Sequence, residues 1–287
     1  MADVVLREAR PDDVEATYEV VAACESPLYG TPQLTLEHFR NTWDLWTGFT
    51  ATDRAEIVGT SAVRGDDIVV FVLPQARRRG IGTRLLQAAE EVAPLEVVQA
   101  DAVTLEPAAA PFLRANGYEK VYEIWLMGIE LAREEPEPRW PEGVRVRTFR
   151  AEDAPDVKAL LDLAYAAEPD YRPPPFQEWR RVMLGDPSFD PSVWFLAESD
   201  DGLAGAALNW REGYVKDLVV HPGWRRRGLG EALMRHTFRT FQGRGAERLT
   251  LKTDDVNPTQ AWRLYERLGM RTERTWEVFE KRLRRVG

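Results

Sequence analysis

Two stretches of this 287-residue chain combine residue types that suit a polyanion. Each opens with an apolar run ending in proline, Val70-Phe71-Val72-Leu73-Pro74 and Leu218-Val219-Val220-His221-Pro222. Each continues into a triple arginine and two glycines, Arg77-Arg78-Arg79-Gly80-Ile81-Gly82 and Arg225-Arg226-Arg227-Gly228-Leu229-Gly230. Glycine adopts turn dihedrals closed to other residues and lets backbone N–H groups approach a ligand. A helix starting there points its positive end at the same spot, and guanidinium forks match phosphate oxygens. A pyrophosphate is the guest this chemistry suits. A P-loop needs Gly-Lys-Ser/Thr after the turn, where the chain has Gly82-Thr83-Arg84 and Gly230-Glu231-Ala232. A dinucleotide fingerprint needs a third glycine where Leu85 and Leu233 stand. His221, before a proline, reads as a turn residue.

A second pattern occurs once. Asn257, Ala261, Tyr265 and Gly269 are spaced by four, which puts them on one side of a helix expected over Pro258–Leu268. A phenol there is a group that can give or take a proton. Aligned on Gly117, the first half has Leu105, Ala109 and Leu113 instead, with Pro111 expected to interrupt the helix. The carboxylates level with the central strands are Glu212 and Asp217.

The elements that must position these residues come in two copies. Arg7–Asp13 matches Arg147–Asp153 at an offset of 140, the glycine–arginine turns match at 148, and Asn116-Gly117-Tyr118 matches Leu268-Gly269-Met270 at 152. A period this long means a repeated domain. The sequence divides into 1–131, a linker 132–143 holding three prolines and four glutamates, and 144–287. Trp140 is expected to pack on one domain. Each copy opens with a short strand (Val4–Ala9, Val144–Phe149) and a helix; Val157, Leu160, Leu161, Ala164 and Tyr165 form one apolar stripe, with Asp153 as a cap. Strands follow at Glu56–Val63, Ile68–Leu73, Val193–Glu198, Leu203–Trp210, Tyr214–Val220 and Arg248–Lys252. Helices follow the turns at Gly82–Val92 and Gly230–Phe241. The fold class is α/β with a mixed, mostly antiparallel sheet flanked by helices.

Net charge is −9, which argues against a nucleic-acid binder. Residues 1–131 carry −10 and residues 144–287 carry +3, so an acidic copy is expected to border the site of the other and favour cations. The single cysteine, Cys24, leaves no intrachain disulfide and no thiolate-rich metal site. The acidic start of the chain and the lack of a long apolar run lead to the expectation of a cytoplasmic protein with no membrane span.

On the turns and the Asn257/Tyr265 pattern, the chain resembles the GCN5-related N-acetyltransferases (GNAT) in tandem form, over nearly its whole length. The resemblance implies acetyl-CoA as acyl donor and no metal. It places the pyrophosphate on Arg225, Arg226, Arg227, Gly228, Leu229, Gly230 and Glu231. The pantetheine arm would lie on the backbone of Leu218, Val219 and Val220, where two parallel strands splay. Asn257 and Tyr265 would complete the site. The resemblance gives the Tyr265 phenol the task of protonating the departing thiolate, since a thiol of pKa about 8.5 leaves more easily as RSH. The acceptor amine would need a base, for which Glu212 is taken as the candidate, and a backbone N–H near Val219 would meet the developing oxyanion. The first copy keeps a possible second CoA site at Val70, Phe71, Val72, Arg77, Arg78, Arg79, Gly80, Gly82 and Thr83, but lacks the phenol and is expected to be non-catalytic. The implied reaction is direct acetyl transfer to a small-molecule amine or basic peptide end, by a monomer or homodimer. The alternatives are a CoA-binding regulatory protein without turnover, and an acetyltransferase of thiol biosynthesis resembling mycothiol synthases. The acceptor would meet loops such as Pro27–Phe39 and Pro169–Phe176.

Overall fold

The computed structural model describes residues 4–131, 135–168 and 171–284. In chain order the first half forms β1 (Val5–Glu8), α1 (Val14–Tyr29), α2 (Leu36–Thr42), β2 (Thr47–Asp53), β3 (Glu56–Arg64), β4 (Asp67–Val72), α3 (Ile81–Val92), β5 (Val97–Val103), α4 (Ala109–Ala115) and β6 (Glu119–Glu130). The second forms β7 (Arg145–Thr148), α5 (Ala154–Tyr165), α6 (Phe176–Leu184), β8 (Phe195–Ser199), β9 (Gly202–Trp210), β10 (Tyr214–Val220), α7 (Leu229–Gly243), β11 (Arg248–Asp254), α8 (Ala261–Arg267) and β12 (Arg271–Arg282).

Two compact units result. One holds residues up to 123 together with those from 276 onward; the other holds 124–275. The sequence repeat alone divides the chain at its linker, whereas each unit takes its last strand from the other half. In the first unit the strand order is β1-β2-β3-β4-β5-β12, and β12 runs antiparallel to β5 from Trp276↔Val103 to Arg282↔Val97. In the second the order is β7-β8-β9-β10-β11-β6, and β6 pairs with β11 from Ile124↔Asp254 to Glu130↔Arg248. The two sheets have the same plan: antiparallel neighbours, apart from one parallel pair each, β4–β5 and β10–β11. This is the α/β mixed sheet the sequence predicts.

That parallel pair opens the site. β10 meets β11 at Tyr214↔Thr250 and Val215↔Leu251, and β4 meets β5 at Asp67↔Gln99. Beyond those contacts the strands diverge. The helix after each turn carries an apolar stripe: Ile81, Leu85, Leu86 and Ala89 are buried on α3, and Leu229, Leu233, Phe238 and Phe241 on α7. Burying each of the larger of these side chains contributes about 1.5–3 kcal/mol, which fixes the helix start against the strand end.

Several local expectations change. Asp153 sits at the start of α5, but its carboxylate does not cap the helix: it binds Arg147 and accepts the Arg150 N–H at 2.7 Å. Pro111 does not interrupt α4, because it occupies the first turn, where its missing N–H has no intrahelical role. The late helix of the second copy begins at Ala261 rather than Pro258, after Gln260 takes a left-handed φ of 52°. Most of Pro27–Phe39 is helical, since α1 runs to Tyr29 and α2 starts at Leu36. Of the linker, residues 132–134 lie outside the described residues, as do 169 and 170 of the other expected acceptor loop. Trp140 packs edge-on against His236 in the second unit, its ring 5.7 Å away. No helix among the described residues is long and apolar enough to cross a membrane.

Candidate active site

The turn after β10 is built from the backbone outward. Arg226 and Gly228 both have left-handed φ, 63° and 83°, and they alternate with residues of ordinary conformation. That alternation curls successive N–H groups toward one concavity, at the N-terminus of the 15-residue α7. Arg78 and Gly80 repeat it at 64° and 75°. A Cβ on Gly230 would lie 3.3 Å from Leu264, so glycine there keeps α7 and α8 close. The curled N–H groups, the helix start and a strand edge without a neighbour together fit a pyrophosphate followed by an amide-bearing arm.

The three arginines do different things. Arg225 donates to the carbonyl oxygens of Val220 at 3.3 Å and Ala164 at 3.0 Å, so its guanidinium holds the turn to β10 and α5. Arg77 does the same in the first unit, through Val72 O at 3.0 Å and Glu106 at 2.8 Å. Arg226 and Arg227 are exposed, with Arg227 4.9 Å over the Trp224 ring. Glu231, in the first turn of α7, accepts from Arg235 at 2.9 Å. The His221 Nδ1 accepts the Gly223 N–H at 3.1 Å, as a turn residue would.

On β10 the ladder decides which amides are free. His221 N–H bonds Ala204 O at 2.9 Å, so by antiparallel alternation Val219 points its N–H to β9 and Leu218 and Val220 point theirs into the gap. The expected N–H near Val219 is therefore that of one of its neighbours.

Tyr265 lies on α8 with 6% of its surface exposed. Burial, and then Asp217, Tyr214 and Asp254, push its phenol well above the ordinary value, so it stays protonated. Around it stands a polar cluster. Tyr165 at the end of α5 donates to Asp217 Oδ1 at 2.8 Å. Tyr171 donates to Asp162 at 2.6 Å, and the buried Lys158 bonds the same carboxylate at 2.6 Å. Glu168 is pushed up by burial and by Asp254 and Asp217.

Asn257 is not on the helix. It lies in the turn before α8, where Oδ1 accepts from Thr259 N at 2.9 Å and Nδ2 donates to Glu168 at 3.1 Å. It thus ties the helix approach to the acidic cluster. Glu212 is not brought to the cluster: it is exposed in the tight turn between β9 and β10, where a polar residue satisfies the hairpin. Tyr165, Tyr171 and Glu168 were not among the expected site residues. Tyr165 ends the apolar stripe of α5, so its ring reads as core; only its hydroxyl belongs to the site.

In the first unit a cavity of about 810 Å³ is lined by Val70, Phe71, Val72, Arg77, Arg78, Gly80, Gly82 and Thr83. Arg79 stands apart, bonded to Asp53 at 2.7 Å.

Comparison with known proteins agrees with this geometry. Residues 155–270 match the acetyltransferase (GNAT) family and residues 45–120 an acetyltransferase (GNAT) domain. A mycothiol acetyltransferase of Nocardioides sp. is 31% identical over 275 residues, 86% of this chain and 90% of that protein. One from Thermobispora bispora is 34% identical over 228 residues, 74% of this chain and 75% of that protein. A crystal structure of a GCN5-related N-acetyltransferase from Sphaerobacter thermophilus superposes with a TM-score of 0.76 at 26% identity, covering 98% of this chain and 96% of that one. A tandem GNAT protein from the clavulanic acid biosynthesis pathway shares the fold, with a TM-score of 0.74 at 17% identity over 99% of this chain and 100% of that one.

Proposed function

Given that the chain belongs to the GNAT family of acetyltransferases and is an acetyl-transferring enzyme, we propose that the second unit performs the transfer, with Tyr265 as its acid. GNAT acetyltransferases use acetyl-CoA, which supplies an activated thioester carbonyl when bound. The turn of Arg226, Arg227, Gly228 and Gly230 would seat the pyrophosphate, with Arg225 bracing the loop. The gap-facing amides of Leu218 and Val220 would bond the pantetheine arm, and one of them the oxyanion.

The observation that carries this reading is the position of Tyr265: its phenol is buried on α8, against Tyr214 and Asp217 of the strand that splays from β11. The first unit has Leu113 in its place. It keeps the curled turn and a cavity, and we assign it no turnover.

A small molecule is the acceptor the relatives' name points to, and we propose the class: a primary amine on a small thiol precursor. The chain aligns with mycothiol acetyltransferases over most of both lengths, and Glu168, Asp217 and Asp254 favour a cationic amine.

The test is Tyr265→Phe, assayed by thiol release with acetyl-CoA over an amine panel that includes the amine precursor of mycothiol. Turnover should fall at least about tenfold while acetyl-CoA affinity by calorimetry stays unchanged. Equal turnover across the pH range would refute the assignment.

A further inference from the structure

We propose that Asp217 accepts the proton of the acceptor's ammonium, that Tyr165 positions it, and that a one-residue bulge at Lys216 turns it into the site. The proposal rests on the second unit's being the acetyl-transferring one.

The register of β9 and β10 supports it. Val215 pairs with Asn209, but Asp217 pairs with Leu208, leaving Lys216 as an extra residue. On β9, Gly205, Ala207 and Asn209 face one side and Ala206 and Leu208 the other. A Cβ on Gly205 would meet Leu233 at 3.2 Å and Leu229 at 3.3 Å, so the first side is that of α7. Val215 therefore faces α7. Without the bulge Asp217, two residues on, would face α7 too, in the apolar core. The extra residue puts it on the α5 face, where Tyr165 holds it at 2.8 Å.

The first unit supplies the internal control. Its β3 and β4 pair without a shift from Arg64↔Asp67 to Gly59↔Val72. The residue 148 positions before Asp217 is Val69, and the residue 140 before Tyr165 is Glu25, which accepts from Gln33 at 2.9 and 3.0 Å. The copy that lacks the phenol thus lacks the bulge, the carboxylate and its partner as well. A merely structural ion would not be expected to vanish together with the acid.

The groups facing Asp217 are Tyr165 and, just after α5, Glu168 and Tyr171; Tyr214 and Lys216 on its own strand; and Tyr265 on α8. Lys216 Nζ lies 3.8 Å from Asp217 Oδ2. An alkyl ammonium of pKa about 10 must lose a proton before it attacks. That proton passes to Asp217 and on to solvent. The free amine attacks the thioester carbonyl, the C–N bond forms and the C–S bond breaks. Tyr265 gives the sulfur its proton, and the second proton lost from nitrogen restores the phenol.

The experiment compares an alkylamine with an alkoxyamine, whose nitrogen is already neutral at pH 7, in wild type, Asp217→Asn, Tyr165→Phe and Tyr265→Phe. Asp217→Asn should lower kcat/KM for the alkylamine about 100-fold and leave the alkoxyamine nearly unchanged. The ratio of the two acceptors is measured within one preparation, so any loss of folded protein cancels. Tyr165→Phe removes the donor that holds the carboxylate in place, so kcat for the alkylamine should fall while the alkoxyamine rate and KM for acetyl-CoA stay near wild type. Independently of turnover, near-ultraviolet titration of Asp217→Asn should show the tyrosines around it ionising at lower pH than in wild type, because the Asp217 charge adds to burial in raising the phenols of Tyr165, Tyr171, Tyr214 and Tyr265. An acceptor ratio equal to that of wild type, with Tyr265→Phe still impaired, overturns the role of Asp217 alone. A wild type that acetylates no amine overturns this role and the proposed function together.

Discussion

The guanidinium of Arg147 grips both oxygens of Asp153, at 2.6 and 2.7 Å, and Arg7 grips Asp13 at the same two distances in the other unit. Each carboxylate also accepts the N–H of the residue three before it, Arg150 or Arg10, at 2.7 Å. These clamps join the first strand of each unit to the first helix.

Asp153→Asn and Asp13→Asn should each destabilise the protein by about 2 kcal/mol near neutral pH, the worth of a charge-assisted bond. The pH dependence has a definite sign. The bond to arginine holds each carboxyl below its usual range, against the opposing effect of burial. The stabilisation is therefore full above the unfolded carboxyl value and is lost as pH falls through the lower folded one. Melting curves should show the gap between variant and wild type closing below about pH 4. A gap that persists to lower pH would mean the clamp acts by packing alone.

Arg225 and Arg226 should separate bracing from binding. Arg225→Ala removes bonds to two backbone carbonyls and should lower the melting temperature and acetyl-CoA affinity together, without rescue by lysine. Arg226 carries a left-handed conformation that costs a side chain about 1–2 kcal/mol, part of which glycine gives back in unfolded-chain entropy. Arg226→Gly should thus raise stability by about 0.5 kcal/mol. If its guanidinium meets phosphate, affinity should still fall, and fall less at high salt. Unchanged affinity at low salt would remove Arg226 from the binding surface.

Gly80→Leu and Gly228→Leu place the same side chain at equivalent points of the two turns, φ 75° and 83°, with nothing within 4 Å of either Cβ. Their stability costs should match, at about 1–2 kcal/mol. Their effects on catalysis should not. Gly228→Leu should raise KM for acetyl-CoA at least about tenfold, while Gly80→Leu leaves turnover near wild type. Loss of turnover in Gly80→Leu, with matched melting temperatures, would move the chemistry to the first unit.

What the sequence discloses here is local. The turns, the helices after them and the buried Tyr265 are legible because glycine conformation, helix periodicity and motif spacing act over a few residues. Asp217 is legible as a carboxylate level with the central strands, but its face is not, because a bulge exists only relative to a partner strand: Tyr214–Val220 reads as one plain strand, and alternation alone would turn Asp217 toward α7. Asn257 keeps its motif spacing but leaves the helix, since the left-handed Gln260 has no signature in residue type. β6 and β12 are not among the strands the sequence predicts. Their charges, at Glu119, Lys120 and Glu123 and at Arg271, Glu273 and Arg274, mask the alternation.

The traded last strands decide how this protein can be taken apart. Cutting at the proline-rich linker yields two fragments that each match one repeat in sequence. The first would leave β5 without β12, and the second would leave β11 without β6. Each would expose a row of unpaired backbone amides, an invitation to pair with another chain. The piece that keeps β6 on β11 is instead residues 124–275. The boundary that matters for engineering runs through the middle of two strands, and not through the loop that looks like a hinge.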